Sequence, residues 1–305
     1  MKLGFSSYCF SDRLKPGSMD MRDALKWMAV VGASHLEIAT LSFSPPGQDV
    51  WWKLQDNRDL LDLITASARQ NGVELSGICV PANFILDSVE EARAQVERVK
   101  QYAELCDRLG IRFLRHDVTE WARRPVDTAD FEDHYPQIVD ASLEVAEHAA
   151  QYGVTTSIEN HGFFMNGGER VRRLIHDVRQ PNFKTTIDVG NFLCVDEDPL
   201  IATEQNLPLA SFVHLKDFYI RPRGNFPGEG WLRTTGGNYL LGSILGFGDM
   251  DTRGILRAIR DSGYEGFVSI EFEGNEDRLF ACQRGLENVR RLWSELPPIG
   301  SDALV

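Results

Sequence analysis

Four acidic or imidazole side chains stand where four short β-rich runs end. The run 155–158 leads into Glu159-Asn160-His161-Gly162, and 184–187 leads into Asp188-Val189-Gly190-Asn191. Residues 211–213 lead into His214-Leu215-Lys216-Asp217, and 266–270 into Glu271-Phe272-Glu273-Gly274. A buried strand has this pattern when it delivers polar groups to a site at its C-terminal end. Three carboxylates and one imidazole on successive parallel strands would make a divalent-metal site of Glu159, Asp188, His214 and Glu271. Hard oxygen donors with one imidazole suit Mn2+, Mg2+ or Co2+ better than a structural zinc site, which favours thiolates. Glu159 and Glu271 come from different strands and would flank the ion from two sides. The ion would polarise a carbonyl and stabilise an enediolate as a Lewis acid, while one carboxylate removes the adjacent proton and the other, or a histidine, returns one. A single acid at a strand end is more often a cap or an ion-pair partner, so it is the recurrence that carries the expectation.

Several neighbours join this constellation. His161 lies two residues beyond Glu159 and so on the same side of an extended chain. It is expected as a catalytic base or as a partner of a substrate hydroxyl, against the plainer alternative of a hydrated loop histidine. His116, in the run Arg115-His116-Asp117, has the same standing for substrate binding. Lys216 would reach a substrate oxygen, or else form a buried ion pair with Asp217 or Glu273. Asn191 is expected as a ligand-side amide. Glu37 would bind a hydroxyl, with an ion pair as the competing role.

The elements that must position these residues repeat along the chain. Strands are expected at 3–8, 34–38, 73–80 and 111–117, then at the four runs above. Helices are expected at 19–31, 57–71, 88–109, 131–152, 169–176, 199–205, 252–263 and 278–296. Glycines close many of the helices, at Gly32, Gly72, Gly110, Gly153 and Gly263. Strands alternating with helices imply a parallel sheet with right-handed crossovers. Eight units in 305 residues predict a single (β/α)8 TIM-barrel domain over 1–305, its active site at the C-terminal ends of the strands. No G-x-G-x-x-G follows the first strand, which argues against a doubly wound dinucleotide fold. Glu159 to Asp188 spans 29 residues and Asp188 to His214 spans 26, but His214 to Glu271 spans 57. The excess, about 218–247, is rich in Gly, Arg and aromatics. It is expected as an insertion between strands 7 and 8 over the barrel mouth, or as a subunit interface.

Composition sets the outer limits. The net charge is −13 and the pI about 5.0, which disfavours nucleic acid or an anionic membrane as the main partner. No apolar run approaches the roughly 18 residues of a membrane span. The start of the chain runs directly into a strand without a leader-like apolar segment, and the five cysteines include no C-x-x-C. A reducing cytoplasmic setting is therefore expected.

The chain resembles the xylose-isomerase-like TIM-barrel superfamily over nearly its whole length. The resemblance rests on Ser157-Ile-Glu159-Asn160, Ile187-Asp188-Val-Gly-Asn191, Val213-His214-Leu-Lys216-Asp217, Gly246-Phe-Gly248-Asp249-Met-Asp251 and Ser269-Ile-Glu271. It implies that Glu159, Asp188, His214 and Glu271 bind one divalent ion, commonly manganese, and that Glu159 and Glu271 are the acid/base pair. The implied activity is that of a metal-dependent sugar isomerase or epimerase acting on a small keto sugar or cyclitol. Ketose 3-epimerases of the group usually have a histidine where Asn191 stands. The Glu159-Asn-His161 run and the Lys216-Asp217 pair are more similar to the catalytic subunits of C-glycoside deglycosidases. Those are lyases that act on 3-oxo-glucosides and need a small partner subunit; a homo-oligomer is the other expected assembly. A non-catalytic metal- and sugar-binding barrel is the alternative of a different class.

Overall fold

The computed structural model describes residues 1–298. Eight parallel strands close into a barrel: β1 (Lys2–Ser6), β2 (His35–Ala39), β3 (Glu74–Val80), β4 (Phe113–His116), β5 (Thr155–Glu159), β6 (Phe183–Asp188), β7 (Ala210–Leu215) and β11 (Phe267–Ile270). Around the barrel β1 pairs with both β2 and β11, and β11 pairs with β7. The helices are α1 (Ser11–Leu14), α2 (Met21–Val31), α3 (Arg58–Asn71), α4 (Val89–Leu109), α5 (Thr128–Ala150), α6 (Gly168–Val178), α7 (Pro199–Asn206), α8 (Thr252–Asp261) and α9 (Arg278–Ser294). Among the described residues no helix is long and apolar enough to cross a membrane. The five cysteines are unpaired.

Local chemistry sets the element ends. The first strand stops at Ser6, two residues earlier than its β-rich run suggests. The Ser6 hydroxyl accepts the Tyr8 N–H at 3.4 Å and starts a 3-10 turn, so Tyr8 sits on a loop at the barrel mouth. Helix α5 starts three residues earlier than expected because Asp127 caps it, accepting the Asp130 N–H at 2.9 Å.

The barrel interior is filled in layers. At the floor, Phe113, Phe212, Phe267 and His35 pack ring against ring, with Phe212 and Phe267 stacked at 5.9 Å. Gly4 leaves room for His35, since a Cβ there would lie 2.0 Å from the His35 carbonyl oxygen. The Ser157 and Thr186 hydroxyls bond at 2.7 Å further along the strands. Charged side chains occupy the strand ends.

The segment after β7 forms its own sheet. β8 (Asp217–Arg221), β9 (Leu232–Arg233) and β10 (Tyr239–Ser243) pair antiparallel in the order β8-β10-β9. Asp217 anchors the sheet. Its buried carboxylate accepts N–H bonds from Phe218 at 2.8 Å, Gly246 at 2.9 Å and Gly248 at 3.0 Å. Phe218 and Leu232 of this segment line the cavity at the barrel mouth.

Candidate metal and substrate site

Strand parity decides which side chains meet. Side chains of a strand alternate between the two faces, so residues two apart share one. On β5 that puts Ser157, Glu159 and, past the strand end, His161 on the inner face. On β7 it selects Phe212, His214 and Lys216, and on β11 Ser269, Glu271 and Glu273. The structure brings Glu159, Asp188, His214 and Glu271 together. His214 Nδ1 lies 3.4 Å from Glu159 Oε2, 3.6 Å from Glu271 Oε1 and 4.0 Å from Asp188 Oδ2. All four come from adjacent barrel strands, and the His214 and Asp188 side chains are completely buried.

Each ligand candidate is held from behind. Asn160 ties β5 to β6, donating to the Asp188 carbonyl at 2.8 Å and accepting the Asp188 N–H at 2.9 Å. Asp188 Oδ1 accepts the Gly190 and Asn191 N–H groups, both at 2.9 Å, which turns Oδ2 toward His214. Glu159 Oε1 accepts from Asn191 Nδ2 at 2.7 Å, and Oε2 lies 2.9 Å from Arg115 Nε. Behind the imidazole, His214 Nε2 lies 2.8 Å from Glu37 Oε2.

The electrostatics leave an excess of negative charge. Glu37, Asp117, Glu159, Asp188, Glu271 and Glu273 face Arg115 and Lys216. Burial pushes the Asp188 carboxyl up to about 6, and the Glu159 and Glu271 charges add to that against the pull of Lys216. Burial also opposes charge on Glu159, but the Arg115 guanidinium and His214 outweigh it and hold its pKa well below the usual range. Glu271 is likewise lowered, with His214 and Lys216 overcoming its burial. For His214, burial is outweighed by Glu37, Glu271 and Glu159, which raise its pKa. Asp188 Oδ2, Glu37 Oε2 and both His214 nitrogens are buried without completing a hydrogen bond of normal geometry. Buried polar atoms seldom stay unpaired. Glu159, Asp188 and His214 offer ligand atoms within 4.8 Å of one another, as do Glu37, His214 and Glu271, and this oxygen-rich set with its surplus negative charge fits a divalent cation. Glu159, Asp188, His214 and Glu271 would hold it, with Glu37 fixing the His214 ring from behind.

A cavity of about 630 Å³ opens above this cluster. Glu159, Glu271, His161, Asn191 and Lys216 line it, as do Arg115, Asp117, Tyr8 and Glu273. Lys216 Nζ lies 2.9 Å from Asp188 Oδ2, 3.1 Å from Glu271 Oε2 and 3.3 Å from Glu273 Oε1. The ion pair with Glu273 therefore forms, and the one with Asp217 does not, because Asp217 has the opposite parity and faces the antiparallel sheet. His161 Nδ1 lies 2.9 Å from Asp117 Oδ1. Asp117 raises the His161 pKa against the opposing effect of burial. The chain turns just beyond His161 at Gly162, whose φ is +68° and where a Cβ would lie 2.0 Å from the Trp121 carbonyl oxygen.

Two expected substrate-binding residues do not line this cavity. His116 is fully buried between the Phe84 and Phe183 rings, with Nδ1 at 3.0 Å from the Asp117 carbonyl. Its parity is opposite to that of Arg115 and Asp117, which turns it out of the barrel interior. Burial lowers its pKa to about 4, so the ring is neutral. Glu37 is buried against His214 rather than open to a ligand. Conversely, Arg115 and Asp117 carry no expectation from sequence yet join the site. Arg115 Nη2 lies 2.8 Å from Asp117 Oδ1, so one guanidinium connects Glu159 to the partner of His161. Their shared parity on β4 is the signal that finds them.

A closed eight-stranded parallel barrel with an acidic cluster at its mouth defines the class. The profile of the xylose isomerase-like TIM barrel family matches residues 25–292, and the chain belongs to that family. Its fold is similar to that of the IolI protein solved with a bound zinc atom, at 17% identity and a TM-score of 0.73, covering 98% of this chain and 100% of that one. It is also similar to 3-keto-D-glucoside 4-epimerase from E. coli, at 15% identity and a TM-score of 0.71 over 95% and 99% of the two chains. D-allulose 3-epimerase from Methylomonas sp. follows at 14% identity and a TM-score of 0.70, over 96% and 98%. At these identities the likeness is one of fold. No curated sequence matches the chain.

Proposed function

We propose that this chain is a divalent-metal-dependent sugar isomerase or epimerase that moves a proton on the carbon next to a sugar carbonyl. The observation that carries the reading is the buried cluster of Glu159, Asp188, His214 and Glu271 opening into a cavity of about 630 Å³. The oxygen-rich donor set suits manganese or magnesium. A divalent ion bound there supplies Lewis-acid polarisation of the carbonyl.

The chain's own residues handle the proton and hold the substrate. Glu271 and Glu159 stand on different strands and form the acid/base pair. Glu159 is held by Arg115 and Asn191, whereas Glu271 has Lys216 as its close donor. Glu271 is thus the freer base, and Glu159 or His161 returns the proton. His161, with Nδ1 on Asp117, keeps Nε2 for a substrate hydroxyl or proton. The surplus of carboxylates disfavours a phosphorylated substrate and suits a neutral keto sugar or cyclitol. Three similar folds solved as a sugar epimerase, a keto-glucoside epimerase and a zinc-bound protein support this reading without fixing the substrate.

The test is carbon-bound hydrogen exchange. Protein loaded with Mn2+ is incubated in D2O with a panel of ketoses and inososes, freed of metal, and read by NMR. Metal-dependent deuterium at one carbon is the expected result. No exchange in any member of a broad panel would overturn the assignment.

A further inference from the structure

We infer that Lys216 is a tethered cation that competes with the divalent ion for Asp188 and withdraws to Glu273, into the substrate cavity, when the ion binds. The inference rests on the metal reading above and concerns how loading of that site is coupled to the cavity. Its first support is that the two cations address one oxygen. Asp188 Oδ1 is committed to the Gly190 and Asn191 N–H groups, both at 2.9 Å. Asp188 therefore has Oδ2 to offer an ion. Lys216 Nζ lies 2.9 Å from that same atom, and 3.1 Å from Oε2 of Glu271, another proposed ligand. The Lys216 side chain is 4% exposed and that of Asp188 is fully buried. Little water or salt screens the repulsion between an ammonium and a dication held on one buried oxygen.

Its second support is that the ammonium faces two ways. Its contact with Asp188 is one of charge alone, since Oδ2 completes no hydrogen bond. To Glu273 it does donate a hydrogen bond, reaching Oε1 at 3.3 Å. The Glu273 side chain is 36% exposed and lines the cavity. Lys216 is thus hydrogen-bonded to the carboxylate outside the proposed ligand set and merely close to the one the ion needs. A lysine carries its charge on a flexible four-carbon stem, so withdrawal to Glu273 takes rotamer changes and no movement of the backbone.

Its third support is that the fold makes room for this stem. A Cβ on Gly190 would lie 2.4 Å from Lys216 Cγ and 3.1 Å from Cδ. The turn that presents Asp188 Oδ2 therefore also leaves the slot through which its competitor arrives. By linkage, an ion that displaces the ammonium frees it for a substrate oxygen, and a substrate that engages Lys216 raises the affinity for the ion by the same factor.

The test is Mn2+ titration of chelator-treated parent, Lys216→Met, Glu273→Gln and the double variant. Lys216→Met is expected to bind Mn2+ tighter by about tenfold or more. Glu273→Gln should weaken binding while Lys216 is present and have no effect once Lys216 is replaced. Unchanged or weaker binding by Lys216→Met would overturn the competition. An equal effect of Glu273→Gln in both backgrounds would overturn the withdrawal, by reducing Glu273 to a nearby charge. A crystal structure of the parent with Mn2+ bound tests the same point without a substitution. Lys216 Nζ should then stand beyond ion-pair distance, about 4 Å, from Asp188 Oδ2 while keeping Glu273. An ammonium still paired with Asp188 beside the ion would overturn the inference. Parent protein that binds no Mn2+ would overturn the metal reading and the inference together, whereas the other outcomes leave that reading standing.

Discussion

Glu37→Gln and Glu37→Ala probe the proposed metal site without touching the four residues proposed to hold the ion. Glu37 Oε2 lies 2.8 Å from His214 Nε2, and both side chains are buried, at 2% and 0% exposure. His214 Nδ1, on the other edge of the ring, faces Glu159, Asp188 and Glu271. A carboxylate behind a ligating imidazole fixes its orientation and raises its basicity, and losing it typically costs 10–100-fold in metal affinity, or about 1.4–2.7 kcal/mol. Gln keeps an acceptor oxygen for the Nε2–H, so the Gln variant should stand near the tenfold end. Ala leaves a buried donor unpaired and the ring free to turn, so it should stand near the hundredfold end. The assay is Mn2+ titration of chelator-treated protein, with free Mn2+ read by electron paramagnetic resonance and the fold checked by circular dichroism. Unchanged affinity in both variants would refute the positioning role. A loss beyond about 10⁴-fold in a folded Gln variant would refute it differently, by making Glu37 a ligand itself; Glu37, His214 and Glu271 do lie within 4.8 Å of one another.

Three further outcomes follow from the geometry. Glu271→Gln should cut proton exchange by about 10²–10⁴-fold, the usual share of a general base, while the far-ultraviolet spectrum stays native; near-native exchange would remove Glu271 from that role. Burial holds the His35 pKa down to about 4 from 6.5, so the folded protein keeps this ring neutral. Above pH 6.5 neither state is charged there; as pH falls from 6.5 to 4 the unfolded chain gains a proton the folded one refuses, and stability drops by about 3 kcal/mol. Urea unfolding should show His35→Gln losing less stability than the parent between pH 7 and 4.5, and an equal slope would contradict the assignment. Asp217→Asn turns an amide N–H₂ toward backbone donors now received by a carboxylate, which should cost about 2–3 kcal/mol in urea unfolding and speed amide exchange at Gly246 and Gly248; a change under about 0.5 kcal/mol would contradict the anchoring role.

The barrel was legible because its signals are local. A β-rich run, a polar end, a helical stretch and a closing glycine recur within about thirty residues, and each unit can be recognised alone. Boundaries were less legible where one side chain decides them. Ser6 ends the first strand through its own hydroxyl, and Asp127 moves the start of α5. The convergence of Glu159, Asp188, His214 and Glu271 was legible for the same local reason, since each stands at the end of its own strand.

What the sequence concealed depends on contacts between units. The four strand ends converge because the barrel closes, but charge compensation links residues far apart in the chain: Arg115 to Glu159, Glu37 to His214, Lys216 to Glu273. No local pattern distinguishes a glutamate that binds a substrate hydroxyl from one that braces an imidazole. Parity narrows the choice further than residue type does. His116 is the more obvious chemical group in Arg115-His116-Asp117, yet alternation permits only one face of that run to enter the barrel. The neighbours of a chosen acid on its own strand fix which face that is. Applied to β4, the inner set containing Phe113 requires Arg115 and Asp117 at the mouth and sends His116 outward between the Phe84 and Phe183 rings, where burial favours a neutral ring.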